Sequence, residues 1–371
     1  MIKSIYANAD NSIYEKTGSL NAGIDSILEL QKVSSSAGIY TSRILIKFPL
    51  DAISSSCAAG KITAPKFYLN LYQTDTEEVP IEYTLVAYPV SQSWTTGTGR
   101  KLDPVSLNKY DKKGASWVYR DKQHPEIEYL ASKDTQWTSR SLHADSNMVY
   151  SSTTGGGTWY KDYYGTQSFN HESADVRMDV TPAIQYLLTG SRANNGLIIM
   201  RSGSQETNAT KYGTNRFFSR ETNTVYQPRL EVVYDDSSFV TTGLTELTSE
   251  QSVIYLKNLK HEYGQKETPK IRIVGRDRYP TKTFATASNY KTIKFLPTSS
   301  YYGVKDALTE EFVIPYSKLG TKLSCDTSGN YIKLEMNSFM PERYYKMCFQ
   351  VTQSDSSVVV YDENFYFKVN R

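Results

Sequence analysis

The chain has 371 residues, with 42 basic residues against 39 acidic ones and a formal net charge of +3. So even a balance gives no electrostatic reason to expect nucleic acid or a membrane surface as the main partner. One core seldom serves a chain this long, so two domains are expected, and no apolar run is long enough for a membrane-spanning helix.

The N-terminal segment, MIKSIYANADNSIYEK, lacks the apolar stretch of a secretory signal, so synthesis in a cytoplasm is expected. Strand patterns follow at 43–48 (RILIKF), 66–72 (KFYLNLY) and 83–88 (YTLVAY). From about 92 to 169 the alternation fades, and all four tryptophans of the chain fall there. This segment reads as a long insertion ordered by aromatic anchors, with Gly155, Gly156 and Gly157 as a flexible tip. One short helix is predicted at 179–190. Thr181 would be its N-cap, Pro182 would sit at N1 and Gly190 would stop it, with Ile184, Leu187 and Leu188 on the apolar face. Core strands resume at 196–200 (GLIIM) and 229–234 (RLEVVY), and 235–238 (DDSS) reads as a linker. Beyond it, strand patterns at 252–256, 270–274, 331–334, 344–351, 358–361 and 365–369 suit one smaller β-sandwich. Residues 326–330 (DTSGN) form the predicted turn of a hairpin that begins at 321–324. The expected fold class is therefore all-β, with two β-sandwiches at about 1–236 and 237–371, one short helix and a tryptophan-bearing insertion.

No pattern for chemistry emerges. His124, His143, His171 and His261 show no metal-ligand spacing. There is no GxSxG elbow and no phosphate loop; 97–101 (GTGRK) has neither the GK[ST] ending nor a strand-to-helix context. The carboxylate pairs Glu77–Glu78, Asp235–Asp236 and Glu310–Glu311 are sequence neighbours, which a strand points to opposite faces. Asp326, Ser328 and Asn330 alternate oxygens, but a full calcium ligand set is missing. Cys57, Cys325 and Cys348 are odd in number and widely spaced, so neither a disulfide framework nor a zinc site is indicated. The expectation is a non-enzyme with no catalytic residues, no cofactor and no metal.

Thirty tyrosines point to wide pleated surfaces or to broad assembly faces. The candidate interface or ligand contacts are Trp94, Trp117, Trp137, Trp159, Tyr160, Tyr163 and Tyr164. The tryptophans can equally serve as loop anchors, and aromatic faces can also stack on sugar rings.

The order of several short motifs resembles the DNRLRE-type jelly-roll family. They are 9–13 (ADNSI), 20–23 (LNAG), 43–50 (RILIKFPL, with Pro49 where the family has Asp), 62–69 (ITAPKFYL), Ser93-Trp94, 179–181 (DVT), 194–197 (NNGL) and 228–234 (PRLEVVY). Within that family the chain is most similar to structural proteins of tailed bacteriophages. That likeness rests on 212–226 (YGTNRFFSRETNTVY), 93–99 (SWTTGTG), 114–117 (GASW) and, in the second segment, 321–331 (TKLSCDTSGNY). The resemblance implies a structural component of a virion, in the tail, neck or head surface. Its partners would be other virion proteins and further copies of itself in a symmetric homo-oligomer, with no direct nucleic-acid or membrane contact. The alternative it implies is a carbohydrate-binding module attached to a host or matrix glycan.

Overall fold

The computed structural model describes residues 1–103, 113–123, 135–137, 148–150 (backbone only), 155–170, 175–189, 192–248, 252–279, 293–353 and 355–371. Strands make up 46% of it and helices 8%, so the protein is all-β, built of sandwiched sheets. It divides into two compact units. One comprises 5–58 and 66–231; the other comprises 1–4, 59–65 and 232–371.

The larger unit is organised around the strand Gly38–Lys47. Its first half pairs with Ile27–Ser35 as a hairpin, and its second half pairs with Ala9–Tyr14 on one side and Leu197–Arg201 on the other. The whole sheet runs Gly165–Asn170, Glu82–Pro89, Leu197–Arg201, Gly38–Lys47, Ile27–Ser35, Gly213–Phe218, Gln73–Glu77. A second sheet runs Ile2–Tyr6, Arg229–Val233, Lys66–Leu71, Val176–Asp179. Successive side chains of a strand point to opposite faces. Ile44, Leu45 and Ile46 are all fully buried, so this part of the sheet is covered on both faces. That double burial is why 43–48 and 196–200 read as continuous apolar runs rather than as alternating ones.

The predicted helix is Thr181–Leu188, and it buries Ala183, Ile184, Tyr186 and Leu187. Leu188 is only half-buried; Ala183 and Tyr186 complete the apolar face in its place. Thr181 is not its N-cap. That position is Val180, without a side-chain cap, because the Thr181 hydroxyl accepts the Phe67 N–H at 2.8 Å instead. Gly190, the predicted stop, lies outside the described residues. Two further short helices, Asp51–Ala58 and Gly203–Thr207, were not apparent in the apolar pattern, since they bury only Ile53 and no residue respectively.

The smaller unit has two sheets. One runs Thr245–Glu246, Lys294–Phe295, Lys270–Asp277, Gly329–Lys333, Ser324–Asp326, with Ser252–Lys257 also on Lys270–Asp277. The other runs Glu262–Gly264, Tyr366–Asn370, Arg343–Thr352, Ser300–Asp306, Phe312–Ile314, with Val358–Tyr361 also on Arg343–Thr352. The predicted hairpin is present, closed by Thr327 and Ser328 between Asp326 and its partner Gly329. Its first strand starts at Ser324 rather than at 321. Several tyrosines go to the core here. Tyr345 lies 4.8 Å from Phe339 and 5.6 Å from Phe367, and Tyr263 lies 5.9 Å from Phe367, in ring-centroid distances. Cys325 and Cys348 are buried, free, and on strands of different sheets.

Candidate functional site

The insertion gathers its tryptophans onto one face of the larger sheet. Trp94, Trp117, Trp137 and Trp159 pack with Ile13, Leu45, Val90, Ala115, Ile198 and Met200 in a single buried cluster. Leu45, Ile198 and Met200 are residues of the central strands. The described residues of the insertion thus form a third layer on the sandwich. None of the four indoles is more than 8% exposed. The Trp94 Nε1–H donates to the Asn195 carbonyl at 2.8 Å, and the Trp137 Nε1–H donates to the Ser116 carbonyl at 3.0 Å.

Arg43 closes this layer. Its guanidinium carbon lies 4.8 Å from the Trp117 ring centroid and 5.1 Å from that of Trp159. Its Nε–H donates to Glu206 Oε1 at 2.9 Å, and Nη1 donates to the Gly156 carbonyl. A guanidinium held by π faces and a carboxylate in this way loses little on leaving water. Two buried asparagines also hold the insertion. The side-chain amides of Asn11 and Asn21 both donate to the Ala115 carbonyl, each at 2.7 Å. Asn21 Oδ1 accepts the Gly99 N–H at 2.8 Å.

Gly155 to Gly157 do not form a flexible tip. The Gly156 N–H donates to the Trp117 carbonyl at 2.6 Å. Gly155 has φ +105, and a Cβ there would lie 2.1 Å from the Trp117 carbonyl oxygen. Glycine is required because backbone crosses backbone at this point.

The seven candidate residues therefore separate into two groups. The four tryptophans are anchors, and their faces are covered. Tyr160 is also buried and meets Tyr186 edge-on at 5.0 Å. Tyr163 and Tyr164 remain outward, at 37% and 47% exposure. Tyr163 stacks on Tyr186 at 3.9 Å and 15°, and Arg192 lies 4.1 Å from the same ring. Tyr164 lies 5.6 Å from Tyr88, which in turn lies 6.1 Å from Trp159. The exposed pair is supported from beneath by rings that belong to the core.

Other candidates have structural partners. His261 is exposed; His124, His143 and His171 lie outside the described residues. The Asp326 carboxylate accepts from Arg272, Lys270 and Ser328 N, which holds it well below the usual carboxylate range, with Arg272 the largest cause. Asn330 is buried, and its Oδ1 accepts the Leu296 N–H. Burial pushes the Cys348 thiol up to about 11, which makes it a poor nucleophile. Among the described residues no cluster of His, Cys, Asp and Glu is suited to a metal ion.

Sequence reasoning missed the buried charges. Arg201 is 1% exposed between the rings of Tyr83 and Tyr212, with Nη2 donating to the Tyr212 carbonyl and to Asn215 Oδ1. Burial lowers it to about 10. Asp10 is 1% exposed, and burial raises its carboxyl to about 7 although Oδ2 accepts the Arg220 N–H.

No family model matches the chain, and no curated protein matches it. Among solved structures it is similar to a DUF4785 family protein from Legionella pneumophila, at 7% identity and a TM-score of 0.21, over 100% of this chain and 62% of that one. The chain thus spans 62% of the length of that protein. It is also similar to the binding domain of botulinum neurotoxin serotype C1, at 9% identity and a TM-score of 0.17, over 98% of this chain and 94% of that one. Scores this low carry no argument about function.

Proposed function

We propose that this chain is a non-catalytic structural component of a tailed-phage virion, a tail, neck or head-surface accessory protein that acts through contacts with other virion proteins and with copies of itself. It would be made in the host cytoplasm and carried in the particle. The ordered DNRLRE-like motifs motivate the reading. The observation that carries it is the closure of the insertion by Arg43 between Trp117 and Trp159. Over its described residues, that closure makes the longest irregular part of the larger unit a fixed layer and not a lid over a cleft. A particle component benefits from such rigidity, because a preorganised surface loses little entropy when it docks. The outward aromatic loop, with Tyr163 and Tyr164, supplies the contact chemistry that interfaces favour. The glycan-binding alternative loses its four tryptophans to the core, and of the seven candidate residues Tyr163 and Tyr164 stay exposed.

The test is quantitative peptide mass spectrometry on gradient-purified particles, with copy number normalised to the major capsid protein. A reproducible ring-like stoichiometry is expected. Abundance in the lysate with absence from particles would overturn the proposal.

A further inference from the structure

Lys32 lies in the strand Ile27–Ser35 with its side chain directed into the larger unit, and it is 1% exposed. Among the described residues it makes no ion pair with a carboxylate. Its Nζ instead meets three oxygens: the Gln205 carbonyl at 2.5 Å, the Asn208 carbonyl at 2.6 Å and Asn208 Oδ1 at 2.8 Å. A carboxamide C=O bond is about 1.23 Å long, so Cγ of Asn208 is within about 4 Å of the lysine nitrogen. The backbone fixes both ends. The Tyr212 N–H donates to the Lys32 carbonyl at 3.0 Å, and the Asn208 N–H donates to the Ser204 carbonyl at 2.9 Å. The Tyr212 hydroxyl accepts from Asn208 Nδ2 at 3.3 Å. Glu206, two residues before Asn208, has a side chain only 11% exposed, and its charge acts on Lys32.

We propose that Lys32 and Asn208 become joined by an intramolecular amide bond that the chain forms on itself. The amine, freed of one proton, adds through Nζ to Cγ of Asn208. The Cγ–Nδ2 bond then breaks and ammonia leaves. The proton lost by Nζ passes to the departing nitrogen. Amine and carboxamide become secondary amide and ammonia, with no change of oxidation state and no co-reactant. Two features favour the step. Burial lowers the basicity of Lys32, so more of it is the nucleophilic free amine near neutral pH. Fixed placement of the two groups replaces a bimolecular encounter. The product would tie the strand Ile27–Ser35 covalently to the loop after the helix Gly203–Thr207.

The competing state of the same pair is an ammonium that only hydrogen-bonds to these oxygens, and mass distinguishes the two. The purified full-length chain, held for days at mildly basic pH, is measured intact and then digested. The expected wild-type mass is lower than the sequence mass by one ammonia, with a branched peptide that contains both Lys32 and Asn208. Lys32→Arg should keep the full mass. A wild-type chain of full mass, with Lys32 and Asn208 only in separate linear peptides, overturns the proposal. So does an ammonia loss that fragmentation places in a succinimide at Asn208 alone. The wild-type measurement decides even where a variant fails to fold.

Discussion

The guanidinium of Arg43 lies against the face of Trp117, with its carbon 4.8 Å from the ring centroid, while its Nε donates to Glu206 at 2.9 Å. Arg43 is on a central strand, Trp117 is in the insertion and Glu206 is in the short helix Gly203–Thr207. One side chain thus couples three segments that are distant in sequence.

Removing the cation should therefore cost far more than a surface substitution. Arg43→Met leaves Glu206 nearly buried without its partner, a defect that typically costs about 3–5 kcal/mol. Arg43→Lys should recover only part of the loss, because a point charge cannot lie flat on an indole and also present the same donors. Urea melts of the two variants check this, and a double-mutant cycle with Glu206→Gln isolates the pair. Melts within about 0.5 kcal/mol of wild type would show that the pair is dispensable.

How much of this was legible in sequence depends on distance along the chain. Residues 43–48 and 196–200 were readable as core strands because local apolar runs report double burial. The tryptophans were readable as anchors or as contacts, and no local signal chose between them. Trp117 and Trp159 sit among serines, glycines and lysines, which reads as surface. What turns them inward is Arg43 and the close backbone crossing at Gly155, both set by tertiary contacts. Lys32 and Asn208 lie 176 residues apart, so their meeting leaves no periodic trace. Likewise Asp10 looks like one more polar residue until the fold covers it.

The glycine crossing gives a steric expectation. Gly155→Ala puts a methyl group 2.1 Å from the Trp117 carbonyl oxygen, at a φ of +105 that alanine resists. Destabilisation of more than about 2 kcal/mol is expected. Gly203→Ala is the matched control, since a Cβ there meets nothing within 4 Å. Thermal melts of the two variants should differ clearly, and equal melts would argue that the insertion is not packed at this point.

Stability of the larger unit should respond to pH through Asp10. Burial raises its carboxyl to about 7 from an ordinary 3.8, with Arg220 N–H and the Arg220 charge opposing and Glu221 adding to the rise. The folded state therefore holds this proton more tightly than the unfolded chain does. The stabilisation is complete below the unfolded value and is lost as pH rises through about 7. The full swing is at most about 4 kcal/mol. Asp10→Asn should flatten the stability profile between about pH 4 and about pH 7, as read from urea midpoints. In the smaller unit Asp326 works in the opposite direction. Arg272 depresses it, so its contribution is present above the ordinary carboxylate range and is lost only in strong acid.

The assembly reading makes its sharpest demand on the exposed tyrosine loop. Tyr164 is 47% exposed, and its ring lies 5.6 Å from that of Tyr88. Tyr164→Ala should therefore leave the melting temperature of the isolated chain within a degree or two, since surface changes of this kind cost about 0.5 kcal/mol or less. Trp159→Ala removes a buried indole and should cost about 3–5 kcal/mol, so its effect on assembly cannot be separated from its effect on folding. Tyr163 is intermediate, because its stack on Tyr186 at 3.9 Å links it to the helix Thr181–Leu188. The informative comparison is Tyr164→Ala against wild type in particle incorporation, with both chains confirmed as equally folded. A loss of incorporation at unchanged stability identifies the loop as a contact surface, because no folding defect then accounts for it. Incorporation at the wild-type level moves the contact elsewhere on the sandwiches. The strand Val358–Tyr361, with Val358 and Val360 each 53% exposed, would then be the next edge to substitute.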